Sequence, residues 1–168
     1  MSTITLDFYT LFWGCKPMVE RHRDFMQLAI EEAVKAGQIE EVPVGAVLVD
    51  ADGAVVTRAH NETIRRKDPS AHAEMLAIRA ASEKTGNYRL TGMRLFTTIE
   101  PCLMCMGAII HARLAEVVYG ARDPKWGAAG SLYDFSTDPR LNHRPHVIAG
   151  VEAQACADLM KAFFAARR

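Results

Sequence analysis

His72-Ala73-Glu74 is followed in this sequence by a second distinctive stretch, Pro101-Cys102-Leu103-Met104-Cys105, in which Cys102 lies thirty positions after His72. The rest of the sequence can be interpreted from these two stretches. One imidazole and two thiolates are three good zinc ligands. A catalytic zinc has three protein ligands and keeps a fourth position for water, whereas a structural zinc has four protein ligands. The carboxylate of Glu74 is then available as a proton carrier beside that water. The two stretches therefore predict a catalytic zinc centre.

Both stretches fall where helices are predicted to begin. Ser70 is a good N-cap, and it predicts a helix over residues 71–84 with the histidine and the glutamate in its first turn. Pro101 suits a helix start because its missing N–H is not needed there, and it predicts a helix over residues 102–112 with both cysteines in its first turn. The partial positive charge of a helix N-terminus favours the thiolate form that binds metal.

The remaining predicted elements alternate between strands and helices. They are a helix from Pro17 that ends at Gly37, a hairpin of strands 42–49 and 54–57, strands 94–98, 117–119 and 147–151, and a last helix over 153–168. Residues 120–145 are rich in Gly, Asp and Pro and are predicted as a long functional or disordered loop. This order predicts a three-layer α/β/α domain with helices on both faces of a five-stranded sheet.

Length and composition set outer limits. At 168 residues the chain fits one domain, which we place at residues 17–168 after an N-terminal extension of unknown role at residues 1–16. A net charge of zero means that any RNA contact must come from local basic patches. Cys15 and Cys156, outside the motif, are far apart in sequence, so a reducing compartment such as the cytoplasm is expected. No stretch approaches the length of a membrane span.

The motif has other interpretations. A lone C-x-x-C in a cytosolic protein is more often redox-active or part of a structural zinc site, and a lone histidine near a helix start is usually a cap or a core residue. The combination is far more specific, because both segments fall at predicted helix starts. A closed structural site would need a fourth ligand, but Cys15, Cys156 and most other histidines lie in segments without ligand spacing, and His111 is deep in a predicted helix.

Several further stretches accompany the motif. They are Val42-Pro43-Val44-Gly45-Ala46-Val47, Asn87-Tyr88-Arg89-Leu90, Gly120-Ala121-Arg122-Asp123, Gly127-Ala128-Ala129-Gly130-Ser131 and Leu141-Asn142-His143-Arg144. With these stretches the sequence resembles the bacterial tRNA-specific adenosine deaminases of the cytidine deaminase superfamily over nearly all of residues 18–168. The zinc motif alone fits any member of the superfamily, whereas the later stretches favour the tRNA enzymes. The resemblance implies a cytidine-deaminase-like domain with a mixed sheet.

The resemblance also implies a reaction. It is the hydrolysis of adenosine to inosine at the wobble position of a tRNA anticodon, with one Zn²⁺ per chain at His72, Cys102 and Cys105. Zinc lowers the pKa of a bound water to about 7, and Glu74 would move protons between that water, the base and the leaving amine. A homodimer that binds the anticodon stem-loop near its interface is implied as well.

Seven residues are predicted to contact the substrate: Asn61, Ala73, Asp123, Asn142, Arg144, Phe163 and Phe164. Asn61 matches a family position that hydrogen-bonds the target base, although it could instead cap a turn. Asp123 matches a position that contacts the nucleotide backbone, although it could be a turn aspartate before Pro124. The two phenylalanines could stack on a base, but Phe163 alone is more typical of a core residue.

Two more features concern RNA binding. Arg65-Arg66-Lys67 forms a basic run in the loop that begins at Asn61. Trp126 stands where we expect a smaller residue, and it could stack on a base or fill a dimer interface.

Two other functions remain open. The first is a zinc-dependent deaminase of a free base or nucleoside, such as guanine or cytosine, which would lack the steep salt dependence of phosphate contacts. The second is a zinc-stabilised RNA-binding module without activity. Glu74 argues against the module, because a structural site needs no spare carboxylate.

Overall fold

A computed structural model describes the backbone of residues 18–167 and the side chains of residues 21–167. The predicted N-terminal extension, Cys15 and Arg168 lie outside the described residues. The helices are α1 (Met18–Gln38), α2 (Thr63–Arg66), α3 (Ala73–Thr85), α4 (Leu103–His111) and α5 (Ala153–Ala165), and the strands are β1 (Gly45–Val49), β2 (Val55–His60), β3 (Arg94–Ile99), β4 (Glu116–Ala121) and β5 (His146–Ala149). None of the described helices is long and apolar enough to cross a membrane.

The five strands form one sheet in the order β2-β1-β3-β4-β5. The predicted β1–β2 hairpin is confirmed, and β1 is also antiparallel to β3, whereas β3 pairs with β4 and β4 with β5 in parallel. The sheet is therefore mixed, as expected. This arrangement brings the start of β1 and the ends of β2, β3 and β4 to the same edge of the sheet.

Helices cover both faces of the sheet, which confirms the three layers. Ala46 and Leu48 of β1 join the core under α3 and α4, whereas Val47 and Val49 join the core under α1 and α5. All five residues of β1 are buried, as expected for a central strand that packs against helices on both sides. A side chain at Gly45 would come within 2.0 Å of the Ala29 carbonyl oxygen, so glycine is needed for α1 to pack this closely.

The two helices next to the motif begin one or two residues later than predicted. Helix α3 begins at Ala73, so His72 is its N-cap, and the prediction that Ser70 caps this helix is wrong. The N–H and the hydroxyl of Ser70 both bond to the side chain of Asp68 instead, in a turn before the helix. Helix α4 begins at Leu103 after Cys102 as its N-cap. His72 and Cys102 thus precede the helices rather than lie in their first turns.

Other parts of the chain also differ from the predictions, among them the start of β1, which is at Gly45 and not at residue 42. Helix α1 continues through Gly37 to Gln38, and the residue with left-handed backbone geometry is Glu40, at φ 63°. The basic loop after β2 contains the short helix α2. The long segment after β4 has local pairing of its own, with β-bridges between Cys102 and Gly127 and between Ala129 and Asp134.

Candidate active site

The candidate site lies at the sheet edge where β2, β3 and β4 end. His72 reaches it from the start of α3, and Cys102 and Cys105 reach it from the start of α4. The Nδ1 atom of His72 is 3.7 Å from the Cys102 Sγ and 3.6 Å from the Cys105 Sγ, and the two sulfur atoms are 3.6 Å apart. Two segments thirty residues apart in sequence therefore place three soft donor atoms in a nearly equilateral triangle.

This triangle has the dimensions of one face of a tetrahedral zinc site. Zn–S distances of about 2.3 Å and Zn–N distances of about 2.0–2.1 Å separate neighbouring ligand atoms by roughly 3.5–3.8 Å. The three distances in this site fall in that range. Within the described part of the chain, no fourth His, Cys, Asp or Glu joins the group. The donor set thus fits zinc with an open fourth position.

The hydrogen bond between the two thiol groups shifts their pKa values in opposite directions. The pKa of Cys102 is lowered to about 4, chiefly by its hydrogen bond with the Cys105 thiol, and His72 acts in the same direction against the effect of burial. The same hydrogen bond, together with burial, raises the pKa of Cys105. The pKa of His72 is raised mainly by its hydrogen bond with Cys102. One thiolate therefore forms readily at neutral pH, ready to bind a metal ion.

Glu74, in the first turn of α3, is the buried acid of the site. Its side chain is 2% exposed, and its Oε2 atom has no hydrogen-bond partner among the described residues. Burial raises the pKa of Glu74 to about 7, because the charged form loses its hydration. Such a carboxyl group can both accept and donate a proton near neutral pH, which a general acid–base catalyst requires.

A cavity of about 640 Å³ opens onto these residues, a volume typical of small-molecule sites. Among the residues predicted from sequence, those that line it are Asn61, His72, Glu74, Cys102, Asp123 and Trp126. The others do not line it: Ala73, Cys105, Asn142, Arg144, Phe163 and Phe164. Cys105 is buried behind Cys102, and its Sγ is one corner of the triangle.

Asn61 connects the end of β2 to the start of α3. Its Oδ1 accepts a hydrogen bond of 2.9 Å from the Ala73 N–H, and its own N–H bonds to the Val44 carbonyl oxygen. The N–H of Ala73 is thus occupied by Asn61, and Ala73 is fully buried. No described residue accepts a hydrogen bond from the Asn61 Nδ2, so this group can donate to a ligand in the cavity.

Asp123 and Trp126 form part of the cavity wall that follows β4. The Oδ1 atom of Asp123 accepts hydrogen bonds from the N–H groups of Lys125 and Trp126, as in a turn, which leaves its other carboxylate oxygen available. Trp126 is 62% exposed. An indole in this position can offer its face to a base at the cavity mouth.

The four predicted contact residues nearer the C-terminus lie elsewhere on the surface. Asn142 is exposed, and its carbonyl oxygen accepts a hydrogen bond from Arg113, whereas Arg144 is exposed near the start of β5. Phe163 is half-buried on α5 beneath the Arg167 guanidinium, 3.6 Å from its ring centre, and Phe164 is exposed beside it. These residues can contact only parts of a large substrate that extend beyond the cavity.

Several residues that line the cavity were not predicted from the sequence. The cavity is also lined by Thr63 of α2, Glu100 before the cysteine motif, and Met160 of α5. The sequence does indicate a special role for Glu100, because an acidic residue directly after an apolar strand and directly before a metal-binding motif is unusual. No sequence pattern indicates Thr63 or Met160, since their positions in the site depend on how α2 and α5 pack.

Comparison with known proteins agrees with this geometry. The family model for the cytidine and deoxycytidylate deaminase zinc-binding region matches residues 19–121. A tRNA-specific adenosine deaminase of Streptococcus pyogenes serotype M18 (strain MGAS8232) is 47% identical over 146 residues, which cover 87% of this chain and 91% of that protein. Among solved structures, one from a study of A-to-I editing by tRNA:A34 deaminases at the wobble position of transfer RNA is 46% identical. It superposes with a TM-score of 0.78 and covers 81% of this chain and 98% of that one.

The same fold also occurs in an enzyme that acts on a free base. The guanine deaminase of Bacillus subtilis is 32% identical, with a TM-score of 0.60 over 87% of this chain and 93% of that one. Its similarity is lower than that of the tRNA:A34 deaminase structure by both measures.

Proposed function

This chain belongs to the tRNA-specific adenosine deaminases within the cytidine and deoxycytidylate deaminase family, and from this membership we propose that it hydrolyses adenosine to inosine at the wobble position of a tRNA anticodon. The observation that carries the proposal is the buried carboxyl group of Glu74. It lies two residues from His72, beside the triangle of metal-binding atoms, and it lines the same cavity.

The cofactor we propose is one Zn²⁺ per chain, bound by His72, Cys102 and Cys105. Zinc in this position would supply a water molecule that loses its proton near neutral pH. The fit of the three ligand distances to a tetrahedral site supports this assignment.

Glu74 carries the protons of the reaction. One water adds its oxygen to C6 of adenosine, the C6–N bond breaks, and ammonia leaves. Glu74 accepts one proton from the water and delivers it to N1 of the ring. It then accepts the second proton, from the hydroxyl group formed at C6, and delivers it to the departing amine. A pKa of about 7 suits both directions of transfer, because neither form of the group then dominates.

Asn61 and the cavity wall hold the base. The free Nδ2 hydrogens of Asn61 can donate to a purine acceptor, while its Oδ1 stays bonded to the Ala73 N–H and keeps the side chain oriented. Trp126 and Asp123, which line the same cavity, would contact the flanking nucleotide. Reading of unstacked loop bases by stacking and edge hydrogen bonds is the usual mode of RNA recognition.

We expect the protein to act in the cytoplasm as a homodimer. Leu132 and Tyr133 are large apolar residues exposed in the segment after β4, which supports an interface there, because exposed apolar patches mark interaction sites. A sedimentation-equilibrium mass equal to one chain would contradict the dimer.

The test of the proposed function is the reaction itself. An anticodon stem-loop with adenosine at the wobble position should be converted to inosine, detected by sequencing or by nuclease digestion and mass spectrometry. Free adenosine should react far more slowly, because the binding energy of the remote nucleotides is missing.

A second candidate is a free-base deaminase, which the structural similarity to the Bacillus subtilis guanine deaminase favours. Efficient deamination of guanine or cytosine, with no reaction on the stem-loop, would establish that candidate and reject the first.

A further inference from the structure

Glu100 is a buried carboxylate that no step of the proposed reaction uses. Its side chain is 1% exposed, and its position follows the last residue of β3. The Oε1 atom accepts backbone hydrogen bonds of 3.0 Å from Ala129 and 2.9 Å from Ser131. The Oε2 atom accepts one of 3.2 Å from the Asp123 N–H and another from the Ser131 hydroxyl. All four donors belong to residues 123–131.

Residues 123–131 are also bonded to the start of α4. The N–H of Ala128 donates to the Pro101 carbonyl oxygen at 2.9 Å, and Gly127 forms a β-bridge with Cys102. A Cβ at Gly127 would lie 2.5 Å from the carboxyl carbon of Glu100, so the backbone packs directly on this carboxylate. The segment therefore rests on the same residues that present the metal-binding thiols.

The segment carries two residues of the cavity wall, Asp123 and Trp126. Glu100 accepts the N–H of Asp123, and the Asp123 side chain accepts the N–H of Trp126 at 3.2 Å. Hydrogen bonds thus run from the buried carboxylate of Glu100, through Asp123, to the backbone N–H of Trp126. Glu100 lines the cavity as well, and it is the buried acceptor from which these hydrogen bonds start.

We propose that Glu100 is a positioning residue, which holds residues 123–131 so that Asp123 and Trp126 form one wall of the substrate cavity. A carboxylate is required because two oxygens satisfy four converging donors in a buried place, where an unpaired N–H is costly. A glutamine has one oxygen and one NH₂ group, so at least one donor of the segment would face another donor. The identity of the substrate rests on the proposed function, but the positioning role does not.

Glu41 provides a matched control. It is fully buried and accepts hydrogen bonds from the Thr63 hydroxyl, at 3.1 Å, and from the Arg65 N–H, at 2.8 Å. It therefore holds α2, which contributes Thr63 to the same cavity. Glu41→Gln makes the same chemical change as Glu100→Gln but under a different segment.

Hydrogen–deuterium exchange of the purified full chain tests the proposal without reference to activity. In Glu100→Gln, amide exchange in residues 123–131 should increase about tenfold or more, because hydrogen bonds to a charged acceptor are lost. Exchange in α2 should stay unchanged. In Glu41→Gln, amide exchange should increase in α2 and should stay unchanged in residues 123–131. Gly127→Ala, which pushes the segment off an intact Glu100, should reproduce the Glu100→Gln pattern.

Kinetics provide the second measurement. With the anticodon stem-loop as substrate, Glu100→Gln should raise KM about tenfold and change kcat much less, because the wall moves while Glu74 and the zinc ligands stay in place. Zinc content should stay at the wild-type level.

Two exchange results would overturn the proposal: unchanged exchange in residues 123–131, or an equal increase throughout the chain, which would mean a general loss of stability. If the wild-type protein does not deaminate the stem-loop, the proposed function fails, whereas the exchange pattern still decides the role of Glu100.

Discussion

At the scale of single residues, Glu74 shows how function and stability oppose each other in this site. A carboxyl group that is 2% exposed, with one oxygen unpartnered among the described residues, is costly to bury. The pKa of Glu74 is raised for the same reason, because burial disfavours the charged form of the carboxyl group. The same burial makes the group useful, because it can take and return protons near pH 7.

The first prediction concerns Glu74→Ala. Turnover on the stem-loop should fall by about 10²- to 10⁴-fold, the usual contribution of a general acid–base group, or more for a group that moves several protons. Zinc content and RNA affinity should be retained. The thermal midpoint should not decrease, because the substitution removes a carboxyl group that is costly to bury. Turnover within a few-fold of wild type would exclude Glu74 as the proton carrier.

The second prediction concerns the metal ligands. Cys102→Ala or Cys105→Ala should lose most of the zinc and much of the stability, because metal binding is coupled to folding. Cys156→Ala is the control, because Cys156 is buried like Cys105 but lies in the core under α1 and α5. It should lose some stability and keep its zinc. Four protein ligands and no water in X-ray absorption would refute the open site.

At the scale of elements, α1 and β2 are connected by a cluster of charges around Glu32. Arg58 donates to the Glu32 Oε1 at 2.9 Å, Lys35 donates to the same oxygen at 2.8 Å, and His60 lies 3.0 Å from the Oε2. Burial alone would raise the pKa of Glu32, but the hydrogen bonds from Lys35, His60 and Arg58 outweigh it and leave the pKa lowered. The ionised form therefore stabilises the folded protein.

The third prediction follows from this sign. Because the pKa of Glu32 is lower in the folded chain than its ordinary value of 4.5, its stabilising effect is complete above that pH and is lost as the pH falls through the lowered value. Glu32→Gln should lower the free energy of unfolding at pH 7 by about 1–3 kcal/mol, the scale of hydrogen bonds to a charged group. Urea titrations should show this difference shrinking as the pH falls below 4.5. A difference that does not depend on pH would contradict the prediction.

Element positions show where sequence reasoning succeeded and where it failed. Apolar runs and glycine positions predicted the strands and the end of α3 at Gly86 well, because local patterning determines them. The error at Ser70 has a local cause as well, since Asp68 two residues earlier competes for its N–H and hydroxyl.

The buried carboxylates Glu32 and Glu41 could not be predicted from patterning. An acidic residue normally indicates surface, and burial becomes favourable only when donors from distant segments converge on it. The convergence of His72, Cys102 and Cys105, which we propose bind the metal, was predictable because these residue types are rare and their spacing is specific.

At the scale of the whole molecule, a neutral chain must bind a polyanion through local surfaces. Arg65 and Lys67 are exposed at α2, beside the cavity, and no described side chain pairs with either of them. Arg66 differs, because it is paired with Glu62. The basic run noted in the sequence thus has two cations available for phosphate groups rather than three.

The last prediction uses this difference. Arg65→Glu and Lys67→Glu should each weaken stem-loop binding and reduce the slope of log affinity against log salt by about 1, because each removes a phosphate contact and its released counterion. Arg66→Glu should have a smaller effect, since the charge of Arg66 is already offset by Glu62.

Arg89→Glu is the control, because Arg89 follows the far end of α3, about 20 Å from His72 by the rise of a helix of this length. Fluorescence anisotropy over a range of salt concentrations would measure all four slopes. Equal slopes for Arg65→Glu and Arg89→Glu would mean that the RNA does not pass over α2, and the docking surface would then have to be sought at Arg144 or at the end of α5.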